Sequence, residues 1–333
     1  VLEGAREQIA VALGVGPGEL VLTGGGTESC NLGVFGPPAP SVICCSTVEH
    51  AAVRTAAKVA AAELGVEMVE LPVDAQGVLD LDQALGLIPE GALVSVMAAN
   101  NETGAIQPVA ELRAALAREG REVILHCDAI AASPTMALDE IVGAADLISL
   151  AGHKLGGPAS SGILVVKRGI QFRPRSFGGG QELERRAGTQ DVAGALGMAV
   201  AIDEARREIA SGSVEVLRSR RDRLQLRLTS EYPDLVIHAS SAPRLAGHLH
   251  LSVPGCLSEE LLVLLDRRGI CASAGAACSS GAPQASHVLM AMGVSERVAR
   301  GSLRLTLSVA TSDEEVDRAA QLVSESIAAL RPR

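Results

Sequence analysis

Short, continuous apolar runs alternate with amphipathic stretches over the first two thirds of this 333-residue chain, and that alternation restricts its fold more than any other feature. Runs at 20–23, 41–45, 67–71, 93–98, 123–127, 146–150 and 162–167 read as strands buried on both faces, because a strand wetted on one side alternates polar with apolar residues. Helical patterns such as 51–64 and 109–118 lie between several of them. Buried strands separated by helices predict an α/β fold with a mainly parallel, seven-stranded sheet covered on both faces. An Ala-rich helical pattern at 192–210 then runs into Ser211-Gly212-Ser213. Beyond it come a basic helix, short strands around Val236 and Leu249, a helix at 258–266 and a closing helix after Ser312. The expected division is a large domain, 1–208, followed by a smaller α+β domain, 209–333, since the chain exceeds one typical core.

Composition removes several function classes. Three Phe, one Tyr and no Trp leave few rings for base stacking, and a net charge of −10 opposes a phosphate-binding surface. The local basic run Arg218, Arg220, Arg221 and Arg223 has helical spacing and reads as a solvated helix face. No apolar run reaches the roughly 18 residues needed to span a bilayer, so neither nucleic acid nor membrane is an expected partner. The chain opens Val1-Leu2-Glu3-Gly4, without an initiating Met or a secretory signal, which suggests a trimmed start. Seven cysteines, an odd number in no short-spaced framework, suit free thiols in a reducing compartment, so a cytoplasmic protein is expected. No Cys-x-x-Cys or paired-His spacing suggests a metal site.

Ligands of open α/β sheets bind beyond the carboxyl ends of the strands, and the residues there carry chemistry. Gly24-Gly25-Gly26-Thr27-Glu28 follows the first strand and opens a helix, an arrangement in which bare N–H groups receive an anion; a ligand-free turn explains the string equally well. Asp128 ends the strand at 123–127, and Lys154, in Ala151-Gly152-His153-Lys154, follows the strand at 146–150. Singly, these read as a helix cap and a surface lysine. Together with a phosphate cradle they match pyridoxal 5′-phosphate, which needs an amine for its Schiff base and a carboxylate for its ring nitrogen. His50 is either a plain helix-start residue or a ring-stacking, proton-exchanging group. Asn100-Asn101-Glu102-Thr103-Gly104 is either an Asn-Gly turn or a contact to cofactor or substrate. Arg304 is either a strand-rim arginine or a bidentate partner for a carboxylate. Cys278 stands among small residues, Ala274-Gly275-Ala276-Ala277-Cys278-Ser279-Ser280-Gly281, as an accessible nucleophilic thiol would; Cys44 and Cys45 lie in a strand, and Cys30, Cys127, Cys256 and Cys271 read as core or near-core.

The motifs, in their order, resemble the cysteine desulfurases, most closely actinobacterial-type members. The matching strings are Gly25-Gly26-Thr27-Glu28-Ser29, Val48-Glu49-His50, Asn100-Asn101-Glu102-Thr103-Gly104, His126-Cys127-Asp128-Ala129 and Gly152-His153-Lys154. They continue with Gly178-Gly179-Gly180-Gln181-Glu182, Ala187-Gly188-Thr189, Ala277-Cys278, Ser286-His287-Val288-Leu289 and Ala299-Arg300-Gly301-Ser302-Leu303-Arg304. The resemblance spans essentially the whole chain. It implies a fold-type-I, pyridoxal-phosphate-dependent homodimer that converts L-cysteine to L-alanine and passes the sulfur, as a persulfide, to acceptor or scaffold proteins for iron-sulfur assembly or thio-modification. Lys154 is then the Schiff-base lysine, Asp128 the partner of the ring nitrogen, and His50 the stacking histidine. Gly26, Thr27 and His153 contact the phosphate, and Thr189 reaches the phosphate of the neighbouring subunit. Asn101 and Arg304 orient the substrate, and Cys278 carries the persulfide.

Three departures from the family pattern stand out. Ala131 replaces a Gln that donates to the cofactor phenolate, Ala151 replaces a Ser that contacts the phosphate, and the family's N-terminal segment is missing. Selenocysteine lyase shares the motifs and is the nearest rival activity. An aminotransferase has no use for a loop cysteine. A degenerate, partner-binding homologue is the rival of another class, set against the retention of Lys154, Asp128, His50 and Cys278.

Overall fold

A computed structural model describes residues 1–275 and 285–331 of the chain. Two compact units form: Val1–Pro72, Leu79–Ala99 and Gln107–Ile209 make the first, and Val73–Val78, Asn100–Ile106 and Ala210–Arg333 the second.

All seven apolar runs form strands in the first unit: β1 (Leu20–Thr23), β2 (Val42–Ser46), β3 (Glu67–Leu71), β4 (Leu93–Ser95), β5 (Ile124–Asp128), β6 (Leu147–Ala151) and β7 (Gly162–Val166). They make one sheet in the order β1-β7-β6-β5-β4-β2-β3. Pairing is parallel from β3 through β2, β4 and β5 to β6, whereas β7 is antiparallel to both β6 and β1. Strand β4 ends at Ser95, short of the expected 98, yet Val96 and Ala98 still donate to His126 and Asp128 of β5. The helices of this unit are α1 (Leu2–Leu13), α2 (Gly26–Phe35), α3 (Ala51–Leu64), α4 (Leu81–Leu87), α5 (Val109–Arg118), α6 (Asp139–Ala144) and α7 (Val192–Ala210). Helix α2 decides where the site lies. Its Cys30 and Val34 pack with Ile43, Cys45, Leu93 and the alanines of α3, while Leu32 packs with Val21, Leu147, Leu164 and Val166. Both flanks of α2 are therefore buried on the sheet, and its N-terminus lies beyond the end of β1.

In the second unit β8 (Val236–Ile237), β9 (His248–Ser252) and β10 (Ser302–Thr306) pair antiparallel in the order β10-β9-β8. Helices α8 (Ser213–Glu231), α9 (Ser258–Arg267), α10 (His287–Ala291), α11 (Glu296–Ala299) and α12 (Asp313–Leu330) accompany them. Leu249, Leu251, Leu303 and Leu305 from the sheet meet Leu228, Leu265, Val316 and Ile327 from the helices. Each such side chain contributes roughly 2 kcal/mol by burial. Among the described residues, no helix is long and apolar enough to cross a membrane.

Candidate active site

The turn from β1 into α2 is built of Gly24, Gly25 and Gly26. Gly25 has φ 142° and ψ 178°, a conformation open to glycine only. A Cβ on Gly26 would stand 2.5 Å from Ile130 Cδ1 and 3.1 Å from the Ala151 methyl, so a side chain at the start of the helix would have to displace the tip of Ile130 and crowd Ala151. The first intrahelical bond runs from the Ser29 amide to the Gly25 carbonyl, which leaves the preceding N–H groups unused by the helix. Glu28 folds back on this turn, accepting from the Gly24 amide at 2.6 Å and pairing with Arg186 at 2.8 Å. Thr27 is exposed beside the bare amides.

Asp128 ends β5 with its side chain buried. It does not cap a helix: Oδ1 accepts the Ile130 amide at 3.0 Å, and Oδ2 lies 3.5 Å from the Cys30 thiol, which donates to it. No ion pair reaches it among the described residues. Burial pushes its pKa up, against the Ile130 amide, the charge of His50, the Cys30 thiol and the charge of Lys154, which act the other way. His50 and Lys154 are thus near enough for Asp128 to feel their charges. His50 is the N-cap of α3, its Nδ1 accepting the Ala52 amide at 3.1 Å, which fixes the ring and places its proton on Nε2 as a donor. His153 and Lys154 occupy a single 3-10 turn directly after β6, and both are exposed. Burial and then the Lys154 charge lower the His153 pKa. Beneath Asp128 the His126 ring is clamped, with Nδ1 2.8 Å from Ser95 Oγ and Nε2 2.9 Å from Ser149 Oγ.

Thr189, exposed, lines a narrow cleft with Thr23, Gly24, Ser161 and Arg186. Ala131 is half-buried in the turn after Asp128, and Ala151, fully buried, ends β6 beside Gly26.

Asn101 and Arg304 belong to the second unit. There Arg304 Nη1 donates to the Asn101 carbonyl at 2.9 Å. The loop is held in shape by Asn100, whose Oδ1 accepts the Glu102 and Thr103 amides, both at 2.9 Å. Sequence reasoning passed over Glu102: it is buried, accepts the Ser286 hydroxyl, and lies so close to Gly275 that a Cβ there would stand 2.8 Å from Oε2. It also passed over His250, which faces Arg304 across the β9–β10 pair; neither of its ring nitrogens meets a hydrogen-bond partner among the described residues. Burial holds His250 neutral, well below the ordinary histidine range.

Cys278 lies outside the described residues. Among the described cysteines, Cys30, Cys44, Cys45, Cys127 and Cys256 are buried, and burial raises all five, Cys44 to about 12. Thiols so placed are not thiolates at neutral pH and are poor nucleophiles. Cys271 departs from the core or near-core reading. It is exposed, because it follows the turn at Gly269 (φ 78°) that leaves α9, ahead of the backbone bridge at Ser273.

The model of the aminotransferase class-V family matches residues 1–319. An "IscS-like cysteine desulfurase" of Mycobacterium tuberculosis is 41% identical over 342 residues, spanning 99% of this chain and 86% of the relative. A "Cysteine desulfurase IscS" of Methanosarcina thermophila is 36% identical, with 98% of this chain and 81% of that one covered. Among solved structures, a "NifS-like protein" superposes with a TM-score of 0.86 at 32% identity, covering 97% of this chain and 86% of the other.

Proposed function

Because the chain belongs to the aminotransferase class-V family and, within it, to the cysteine desulfurases, we propose that the first unit holds pyridoxal phosphate and that Cys278 takes the sulfur of L-cysteine. The observation that carries the cofactor site is Asp128, a buried carboxylate without an ion pair among the described residues, in the same unit as a glycine cradle whose Gly25 holds a glycine-only conformation. A ligand with a phosphate at one end and a protonated ring nitrogen complements both, so the residues fit pyridoxal phosphate. Gly26, Thr27 and His153 would hold the phosphate, Asp128 the ring nitrogen, and Lys154 the aldehyde carbon, with His50 stacked on the ring. When bound, pyridoxal phosphate supplies a sink for the electron pair left at the substrate Cα.

The remaining chemistry belongs to the chain. Lys154 Nζ is the atom assigned to take the Cα proton, and His50, whose Nδ1 accepts the Ala52 amide and whose Nε2 therefore carries the ring proton, would donate a hydrogen bond from that side. Arg304, held on the Asn101 carbonyl, would pair with the substrate carboxylate, and Asn101 would help orient the amino acid. Net transfer balances as follows: a bond forms between the Cys278 sulfur and the substrate sulfur, the substrate Cβ–S bond breaks, the skeleton is protonated and leaves as alanine, and the enzyme keeps both sulfurs as a persulfide. The raised pKa values of the buried thiols support the choice, since they narrow the candidate nucleophiles to Cys278 and Cys271.

The working form is a homodimer in which Thr189 reaches the second subunit's cofactor phosphate. Val192, Leu196 and Val200, exposed on successive turns of α7, supply an apolar stripe suited to a partner copy. Free cysteines throughout the described residues suit a cytoplasmic enzyme that hands its sulfur to acceptor proteins of iron-sulfur assembly or thio-modification.

The test is a single turnover. Protein loaded with pyridoxal phosphate and given L-cysteine yields alanine and one persulfide, located by peptide mass on Cys278. Cys278→Ala keeps the cofactor and makes neither. Persulfide on the Cys271 peptide would transfer the role, and absence of alanine would overturn the function.

A further inference from the structure

We propose that Cys30 is a positioning residue for Asp128: its thiol, carried on the helix that starts at the glycine cradle, pins one carboxylate oxygen and so fixes the orientation in which Asp128 meets a protonated ring nitrogen. The inference rests on the reading that the cradle and Asp128 hold the two ends of pyridoxal phosphate.

The carboxylate is held at two points, the Ile130 amide on Oδ1 and the Cys30 thiol on Oδ2. Each oxygen keeps a second lone pair for a ligand. The thiol itself has little freedom. Cys30 is fully buried among Val34, Ile43, Cys45, Val53 and Leu93. Helix α2 is fastened on either side of it: Ser29 Oγ donates to the Ile163 carbonyl at 2.6 Å, and Gly33 lies against the clamped His126 ring. Ser149, which holds that ring, stands on β6, the strand next to β5 and Asp128. From Thr27 to Cys30 the helix rises about 4.5 Å, so one rigid element sets both the phosphate contact and the carboxylate.

A thiol suits this task because it donates weakly. A strong donor would draw charge from the carboxylate and blunt its attraction for a ring N–H. Burial, and after it the charge of Asp128, suppresses ionisation of Cys30, so the thiol itself adds no negative charge beside Asp128.

Equilibrium dialysis measures the affinity of wild type, Cys30→Ala, Cys30→Val and Asp128→Asn for pyridoxal phosphate and for its carbocyclic analogue, in which C–H replaces the ring nitrogen. Asp128→Asn should reduce the preference for pyridoxal phosphate by at least about tenfold. Cys30→Ala should reduce it by about fivefold, with affinity for the analogue within about twofold of wild type. In the Cys30→Ala, Asp128→Asn double variant no further preference should be lost, since the thiol acts only through the carboxylate. Cys30→Val fills the space without a donor and should behave as Cys30→Ala does; it serves alone if the smaller residue fails to fold. Equal weakening of both ligands, or of neither, by the Cys30 variants overturns the proposal. An unchanged preference in Asp128→Asn overturns the parent reading instead.

Discussion

Arg6 and Glu182, 176 residues apart in sequence, meet in a buried two-point ion pair, Nη1 to Oε2 at 3.1 Å and Nη2 to Oε1 at 2.7 Å. The same Oε2 accepts the Leu22 amide of β1 at 2.8 Å, two residues before the glycine cradle. Glu182 also begins three consecutive left-handed residues, Glu182, Leu183 and Glu184, at φ 51°, 55° and 64°. Each costs roughly 1 kcal/mol or more in that region. The ion pair thus holds a strained segment in place on the way to Thr189.

Removing one partner leaves the other charge buried. Glu182→Gln should lower the unfolding free energy by about 3 kcal/mol, read by urea denaturation at pH 7. Burial alone would raise the Glu182 pKa, but the Arg6 hydrogen bond, the Leu22 amide and the Arg6 charge together hold it below the ordinary glutamate value. Its stabilisation is therefore complete above the unfolded pKa and lost as the pH falls through the depressed folded one. The gap between wild type and Glu182→Gln should close in acid; a constant gap would mean that the charge of Glu182 is not what holds the segment.

Gly33 gives a prediction whose sign is diagnostic. Gly→Ala inside a helix ordinarily stabilises by about 1 kcal/mol. Here the new Cβ would stand 2.6 Å from His126 Cδ2 and Nε2, and that ring is tied at both nitrogens. Gly33→Ala should destabilise by about 2 kcal/mol and weaken pyridoxal phosphate binding by tilting α2. A stabilised Gly33→Ala protein would show that the ring yields.

Much of this framework was legible in the chain. Four-to-six-residue runs located the seven strands to within a few residues, because burial on both faces leaves an unbroken apolar signature in the inner strands, whereas edge strand β3, with Glu67 and Glu70 exposed, is buried fully only at Leu71, and the helices at 51–64, 109–118 and 192–210 carry the 3.6-residue period. Residues just past strand ends, Asp128 and Lys154, were legible for the same reason. Cys30 was legible only as a core residue, since nothing in sequence distinguishes a buried thiol facing carbon from one facing Asp128. Arg6 with Glu182, and Glu102 with Ser286, are pairs between distant segments, and no local pattern marks them. The antiparallel direction of β7 and the association of 73–78 and 100–106 with the second unit likewise depend on long-range packing. Cys271 was misjudged because its exposure follows from a turn at Gly269, whereas its neighbours Ile270 and Ala272 look like core.

Lys154→Ala should lose cofactor on dialysis and the visible band with it. Borohydride reduction of the loaded wild type should leave the cofactor on the peptide carrying Lys154. A label on Lys58 or Lys167 would relocate the amine.

Ala151 stands where a hydroxyl would face the cradle, its methyl beside the site of a Gly26 Cβ. Ala151→Ser should tighten pyridoxal phosphate binding by about fivefold through one added donor to the phosphate, measured against pyridoxal, which lacks the phosphate and should show no gain. Equal gains for both would place the new hydroxyl elsewhere.

His126 sets an acid limit on the first unit. Burial pushes its pKa from 6.5 down to about 4, so the folded chain holds the ring neutral where the unfolded chain would protonate it. Its contribution is fully present above pH 6.5 and is lost as the pH falls toward 4, a change of roughly 3 kcal/mol. Asp128 and Glu49 work in the opposite direction, because burial raises both carboxyls and the folded chain then binds more protons than the unfolded one. The total pH profile mixes these effects, and a variant separates them. His126→Asn removes the imidazole while keeping groups able to bond Ser95 and Ser149. It should be less stable than wild type at pH 7.5 and fall away less steeply between pH 6.5 and 4.5, in urea titrations at each pH. Parallel profiles for the two proteins would mean that His126 titrates normally, and that the clamp of Ser95 and Ser149 does not keep the proton out.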